Sequence, residues 1–127
     1  MQSLTKRPPH ILIVDDDPVF RALIYRVAKR RNIPVTVCAS IRELAGMAVP
    51  QLFDVAVVDY FLDDLKQNLI GTDVAALLES TAVILVSSTD QAVENGDEWP
   101  TSVRKFLNKR IGPDAILDRV LSLTQGG

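Results

Sequence analysis

Three short apolar runs stand out along the chain: Ile11–Val14 (ILIV), Val55–Val58 (VAVV) and Ala82–Val86 (AVILV). Each is rich in β-branched residues and none alternates with polar ones, which is the pattern of a strand covered on both faces. Two weaker runs, Pro34–Ala39 and Val103–Leu107, complete a set of five. Between the runs the apolar positions change to helical spacing. Pro18 suits a first helical position behind Asp17 as N-cap, and Phe20, Leu23, Ile24 and Val27 then repeat on one face. Lys29, Arg30 and Arg31 suit the negative end of that helix's dipole, and Asn32 can close it. Ser40 with Glu43 forms a capping box for a second helix, and Thr72 with Asp73 opens a third through Leu78. Asp90–Pro100 stands where a fourth is due, but Gly96, Pro100 and weak periodicity predict a short or distorted one. Pro113 opens the last, with Ile116, Leu117, Val120 and Leu121 as its buried stripe.

Strand and helix therefore alternate five times, an α/β pattern that predicts a doubly wound parallel sheet with helices on both faces and right-handed crossovers. In such sheets sites form beyond the carboxyl ends of the strands, where the strand order reverses. At 127 residues the chain reads as one domain over 11–124, with a flexible tail over 1–10 and a short one over 125–127. Fourteen basic against sixteen acidic residues leave a formal charge of -2, which offers no general attraction to nucleic acid or to an anionic membrane. Cys38 is the only cysteine and His10 the only histidine, so disulfides, Cys or His zinc sites and His-dependent triads lose their usual residues. No apolar run reaches the length of a membrane span and the first residues carry no apolar signal segment, so a cytoplasmic protein is expected.

Polar residues at the ends of the runs carry the chemistry. Strand one ends in Asp15, Asp16 and Asp17, strand three in Asp59, strand four in Ser87 and Ser88, and strand five near Lys109. Asp17 is read as the helix cap, since a single strand-end aspartate is more often a cap than a ligand. Asp15, Asp16 and Asp59 together carry three negative charges that would raise one another's pKa. A hard divalent cation with oxygen ligands, Mg²⁺ (or Mn²⁺), answers that charge, and Lys109 supplies the remaining positive one. Such a centre suits phosphoryl transfer, with Ser87 and Lys109 available to phosphoryl oxygens.

Taken in order, ILIVDDDP, VAVVD, VILVSS and FLNK resemble the four signature segments of the response-regulator receiver domain of two-component signalling, over Ile11 to Leu123. The resemblance implies a flavodoxin-like (βα)5 fold with strand order 2-1-3-4-5. It implies a phosphoacceptor at Asp59, and Mg²⁺ held by Asp15, Asp16, Asp59 and the backbone carbonyl of Phe61. It further implies that Ser87 and Lys109 read the phosphoryl group, that Phe106 fills an aromatic switch position, and that the donor is a histidine kinase or histidine phosphotransfer protein. The chain would be a signalling domain that assists its own phosphorylation and dephosphorylation, not an enzyme with an external substrate.

The sequence also departs from that pattern. Arg110 stands where the family usually has proline. A cis bond before a non-proline residue costs about 3 to 4 kcal/mol, so a trans bond and an altered turn after strand five are expected. Tyr60–Ile70 is longer than usual before Gly71, a feature that can shape partner choice, and Phe61 beside the acceptor is expected to slow attack by water. The poor fourth helix puts in question output through the face of the fourth helix, fifth strand and fifth helix. Two other readings remain. Asp15, Asp17 and Val19 formally fit a haloacid-dehalogenase-type phosphatase with Asp15 as nucleophile, although the acidic pair due after the lysine is replaced by Asp114 and Asp118 on the last helix. The fold could also serve as a docking scaffold that is never phosphorylated.

Overall fold

The computed structural model describes residues 9–40, 43, 53–60, 81–88 and 103–125. In chain order these form β1 (Ile11–Val14), α1 (Pro18–Arg30), β2 (Val35–Cys38), β3 (Val55–Asp59), β4 (Ala82–Ser87), β5 (Val103–Asn108), a 3₁₀ turn (Lys109–Ile111) and the C-terminal helix α2 (Pro113–Gln125). The strands make one parallel sheet in the order β2-β1-β3-β4-β5, the order expected. β1 is flanked by β2 on one side and β3 on the other, so the winding reverses between β1 and β3, and it is beyond the carboxyl ends of such strands that doubly wound sheets carry their sites.

Alternation along the strands divides the core in two. Ile11, Ile13, Val55, Val57, Ile84, Val86 and Leu107 pack under α1 and α2. Leu12, Val14, Ala56, Val58, Val83 and Leu85 fill the opposite face, with Phe53, Val103 and Phe106 against them. Both faces of the central strands are covered, which is why their sequences are uninterrupted apolar runs. Each fully buried Val, Leu or Ile contributes about 1.5–3 kcal/mol relative to exposure.

The strand bounds differ from the apolar runs at functionally important ends. Asp59 and Ser87 stay in the ladder, paired with Val86 and Asn108, so β3 and β4 each run one residue past their apolar segments. β5 reaches Asn108, and its pairing with β4 shifts register between Val83 and Ile84, where Val83 meets Val103 but Ile84 meets Lys105. That extra residue, Arg104, is the mark of a bulge. β2 is shorter than Pro34–Ala39; Pro34 contributes its carbonyl, which accepts Ile11 N–H at 3.0 Å.

The caps of α1 follow the reading of the sequence. Asp17 Oδ1 accepts Val19 N–H at 2.9 Å with Pro18 opening the helix. Asn32 adopts φ 58, and the N–H groups of Ile33 and Asn32 donate to the carbonyls of Ala28 and Lys29. This is a Schellman closure with asparagine in the left-handed position. The buried stripe needs one correction: it is Phe20, Ile24, Val27 and Ala28, whereas Leu23 is 43% exposed. At about 100° per residue the arc from Val27 through Phe20 and Ile24 to Ala28 leaves Leu23 on its rim. On α2, Ile116, Leu117 and Val120 are fully buried and Leu121 half-buried against them. Of the Ser40–Glu43 capping box one bond forms, Ser40 Oγ accepting Glu43 N–H at 3.2 Å, while Glu43 Oε1 accepts the N–H of Ala39 instead of that of Ser40. The segments Thr72–Leu78 and Asp90–Pro100, the Phe61 carbonyl and positions 61–71 lie outside the described residues.

His10, placed from sequence at the end of a tail, is tied to the sheet. Its N–H donates to Asp54 Oδ2 at 2.7 Å and its carbonyl accepts Asp54 N–H at 2.9 Å, its Nε2 lies 2.8 Å from Thr36 Oγ1, and its ring meets Phe53 edge-on. No helix among the described residues is long and apolar enough to cross a membrane.

Candidate functional site

Asp15, at the carboxyl end of β1, is held by several contacts. Its N–H donates to the Cys38 carbonyl at 3.0 Å, continuing the β1–β2 ladder one step past Val14. Its Oδ1 accepts Asp17 N–H at 2.9 Å, and its own carbonyl accepts an N–H of the Arg21 guanidinium at 2.9 Å. The acidic triplet is thus wound into a tight turn whose third member caps α1. Oδ2 is buried and lies 2.7 Å from Lys109 Nζ, an ion pair whose angle leaves that oxygen without an aligned hydrogen bond.

Lys109 also lies 3.9 Å from Asp59 Oδ1. Its side chain is only 16% exposed, and Nζ sits over the Phe20 ring at 4.6 Å from the centroid. Asp15, Asp16 and Asp59 each offer a carboxylate oxygen, and all three oxygens fall within 4.8 Å of one another. Asp15 and Asp59 are buried and Asp16 is half-exposed. Burial is the main influence on the Asp15 carboxyl and raises its pKa; the Lys109 ammonium and Asp17 N–H oppose this, while the Asp16 charge adds to it. Three carboxylates and one ammonium leave a net charge of -2 in a space of a few ångströms, a site suited to a hard cation with oxygen ligands.

Strand alternation explains why these groups meet. Asp15 continues the face of Ile11 and Ile13, Asp59 that of Val55 and Val57, and Lys109 that of Leu107, all on the side covered by α1 and α2. Ser87 follows Val83 and Leu85, residues of the opposite face, and is buried at the end of β4 beside Asn108 in register. Phe106 is half-buried on that same opposite face. The sequence-named Asp15, Asp16, Asp59 and Lys109 are therefore brought together, and Ser87 stands at the end of the strand next to Asp59.

The turn after β5 explains how Lys109 is presented without the usual proline. Among the described residues no peptide bond is cis. Lys109–Ile111 form a 3₁₀ turn in which Asn108 Oδ1 accepts Arg110 N–H at 2.8 Å and Arg110 Nε–H at 3.2 Å. The Lys109 carbonyl accepts Gly112 N–H at 3.0 Å, and Gly112 has φ 94, a left-handed value that suits glycine at the entry to α2.

Three neighbours escaped the sequence reading: Phe20 against Lys109, Arg21 on the Asp15 carbonyl, and Asn108 under Arg110. The first two were legible only in part, since a helix starting directly after a strand end turns its first residues back toward that end. Cys38, whose carbonyl accepts Asp15 N–H, is buried, and burial followed by the charge of Glu43 pushes its thiol up to about 11.

The fold has parallels among known proteins. The family model for the response regulator receiver domain matches residues 11–121. The receiver domain of the Francisella response regulator 1452 is 27% identical, with 91% of this chain and 95% of that one superposed at a TM-score of 0.73. A CheY-like receiver domain protein from Methanospirillum hungatei shares the fold at 19% identity, 91% and 93% coverage and a TM-score of 0.75. So does response regulator TrrA from Thermotoga maritima, solved with Mg(2+)-BeF, at 18% identity, 91% and 98% coverage and a TM-score of 0.74. A comparison with curated protein sequences finds no match. With the matched span running from the first residue of β1 to the last turns of α2, the chain belongs to the response regulator receiver domain family.

Proposed function

We propose that residues 11–124 form a phosphoacceptor unit in which Asp59 takes a phosphoryl group from the phosphohistidine of a kinase or phosphotransfer protein. The observation that carries this reading is the convergence of Asp15, Asp16 and Asp59 within 4.8 Å, with Lys109 against two of them. In the transfer, an Asp59 carboxylate oxygen forms a bond to phosphorus while the P–N bond breaks, and the electron pair leaves with the imidazole nitrogen. Lys109 lies within reach of the Asp59 carboxylate and would meet one phosphoryl oxygen, and Ser87 would donate to another. The buried end of Asp15, with an oxygen short of an aligned hydrogen bond, and the two carboxylates beside it fit a divalent cation. Asp15, Asp16 and Asp59 would hold Mg²⁺ (or Mn²⁺), which supplies neutralisation of the phosphoryl oxygens when bound. The acyl phosphate adds charge and acceptor oxygens at the sheet edge, a change suited to switching protein contacts in the cytoplasm. Phe106, half-buried on the face opposite Lys109, would be the aromatic that responds.

Mass spectrometry after acetyl phosphate and Mg²⁺ tests the reading. A single phosphoryl group on Asp59, lost in Asp59→Asn, is the expected result. Modification of Asp15 instead would establish the phosphatase-like alternative, and none at all the docking scaffold.

A further inference from the structure

Lys109 is held by contacts of two kinds, and only one of them is ionic. Its ammonium lies 2.7 Å from Asp15 Oδ2, 3.9 Å from Asp59 Oδ1 and 4.6 Å from the centroid of Phe20. Phe20 is buried in the first turn of α1, packed in the same core as Ile13, Val57 and Leu107. The turn that carries the ring is fixed to the site: Asp17 caps α1, and Asp15 Oδ1 accepts Asp17 N–H. Ring and carboxylate therefore share one rigid frame, while Lys109 arrives from β5 on a flexible four-carbon stem. An aromatic face attracts an ammonium within about 6 Å through its quadrupole, and more strongly where water is excluded. Unlike a carboxylate it accepts no conventional hydrogen bond, so it locates the charge and leaves the three N–H groups for oxygens.

We propose that Phe20 is a positioning residue for Lys109, its ring face holding the ammonium between Asp15 and Asp59 where it meets an oxygen arriving at Asp59. The proposal rests on the reading of Asp59 as phosphoacceptor, and its test separates the two.

Phe20 is replaced by mono-, di- and trifluorinated phenylalanine, which weaken the quadrupole stepwise at nearly constant shape, and by Leu. The limiting rate of Asp59 phosphorylation by acetyl phosphate at saturating Mg²⁺ should fall stepwise, by about three- to tenfold across the series. Thermal midpoints of the fluorinated proteins should stay within about 2 °C of the unsubstituted chain, a result that core packing alone would not couple to a falling rate. In NMR spectra the ring current should shift the Lys109 ε-methylene protons upfield, and Phe20→Leu should abolish the shift. Equal rates across the fluorinated series, or unshifted ε-methylene protons in the unsubstituted protein, would overturn the proposal. An unsubstituted chain that takes no phosphoryl group on Asp59 sinks the parent reading instead, and the methylene shift then judges the ring contact alone.

Discussion

At the scale of single residues, Asp15 shows how a site is built against stability. Its carboxylate is taken out of water, and the Lys109 partner does not fully offset the loss, so its pKa lies above the ordinary 3.8. A folded-state pKa raised above the unfolded one means that the ionised group costs stability at neutral pH. That cost is relieved as pH falls through the raised value toward about 4. Asp15→Asn should therefore raise the urea midpoint of the metal-free protein near neutral pH, since it removes that cost and Lys109 retains Asp59 as an ionic partner. The advantage should shrink as the solution is acidified toward pH 4, as read by urea unfolding at several pH values. Mg²⁺ should raise the thermal midpoint of the unsubstituted chain and do so far less for Asp15→Asn; equal rises in both would show that Asp15 holds no cation.

At the scale of elements, two short pieces of backbone do work that their sequences describe in different degrees. The turn at Asp15–Pro18 divides three consecutive aspartates between tasks, and this division was legible because proline after an aspartate marks a helix start. Asp17→Ala should cost about 1 kcal/mol in chemical unfolding through loss of the Val19 cap, and leave acetyl phosphate labelling of Asp59 in place. The turn after β5 was legible only as a departure from the family pattern. A missing proline says that the turn differs, not how it closes; the closure by Asn108 on Arg110 N–H depends on β5 running through residue 108. Restoring the family's proline should for this reason do harm. Arg110→Pro removes the N–H that Asn108 accepts and disfavours helical geometry at Lys109, and should cost about 1–3 kcal/mol. Arg110→Ala keeps the N–H and should cost less than about 1 kcal/mol by the same measurement.

At the scale of the whole molecule, two cores lie on opposite sides of one sheet. α1 and α2 seal the side that carries Asp15, Asp59 and Lys109, so packing there sustains both the fold and the site. Leu117→Ala, in the fully buried stripe of α2, should cost about 2–5 kcal/mol, while Val19→Ala, at a side chain 65% exposed, should stay within about 0.5 kcal/mol. Differential scanning calorimetry distinguishes the two. The five strands, the caps of α1 and the polar residues at strand ends could be read along the chain, because each depends on local spacing and on backbone preferences over a few residues. Whether those residues face one another is not local. Counted from Val103 with strict alternation, Leu107 and Lys109 would lie on the face of Val103; the register shift at Arg104 turns them to the other side, beneath α1 and beside Asp15. Pairing with β4 sets that shift, so only the tertiary structure could decide that the lysine, and the Phe20 ring beneath it, belong to the aspartates' side of the sheet.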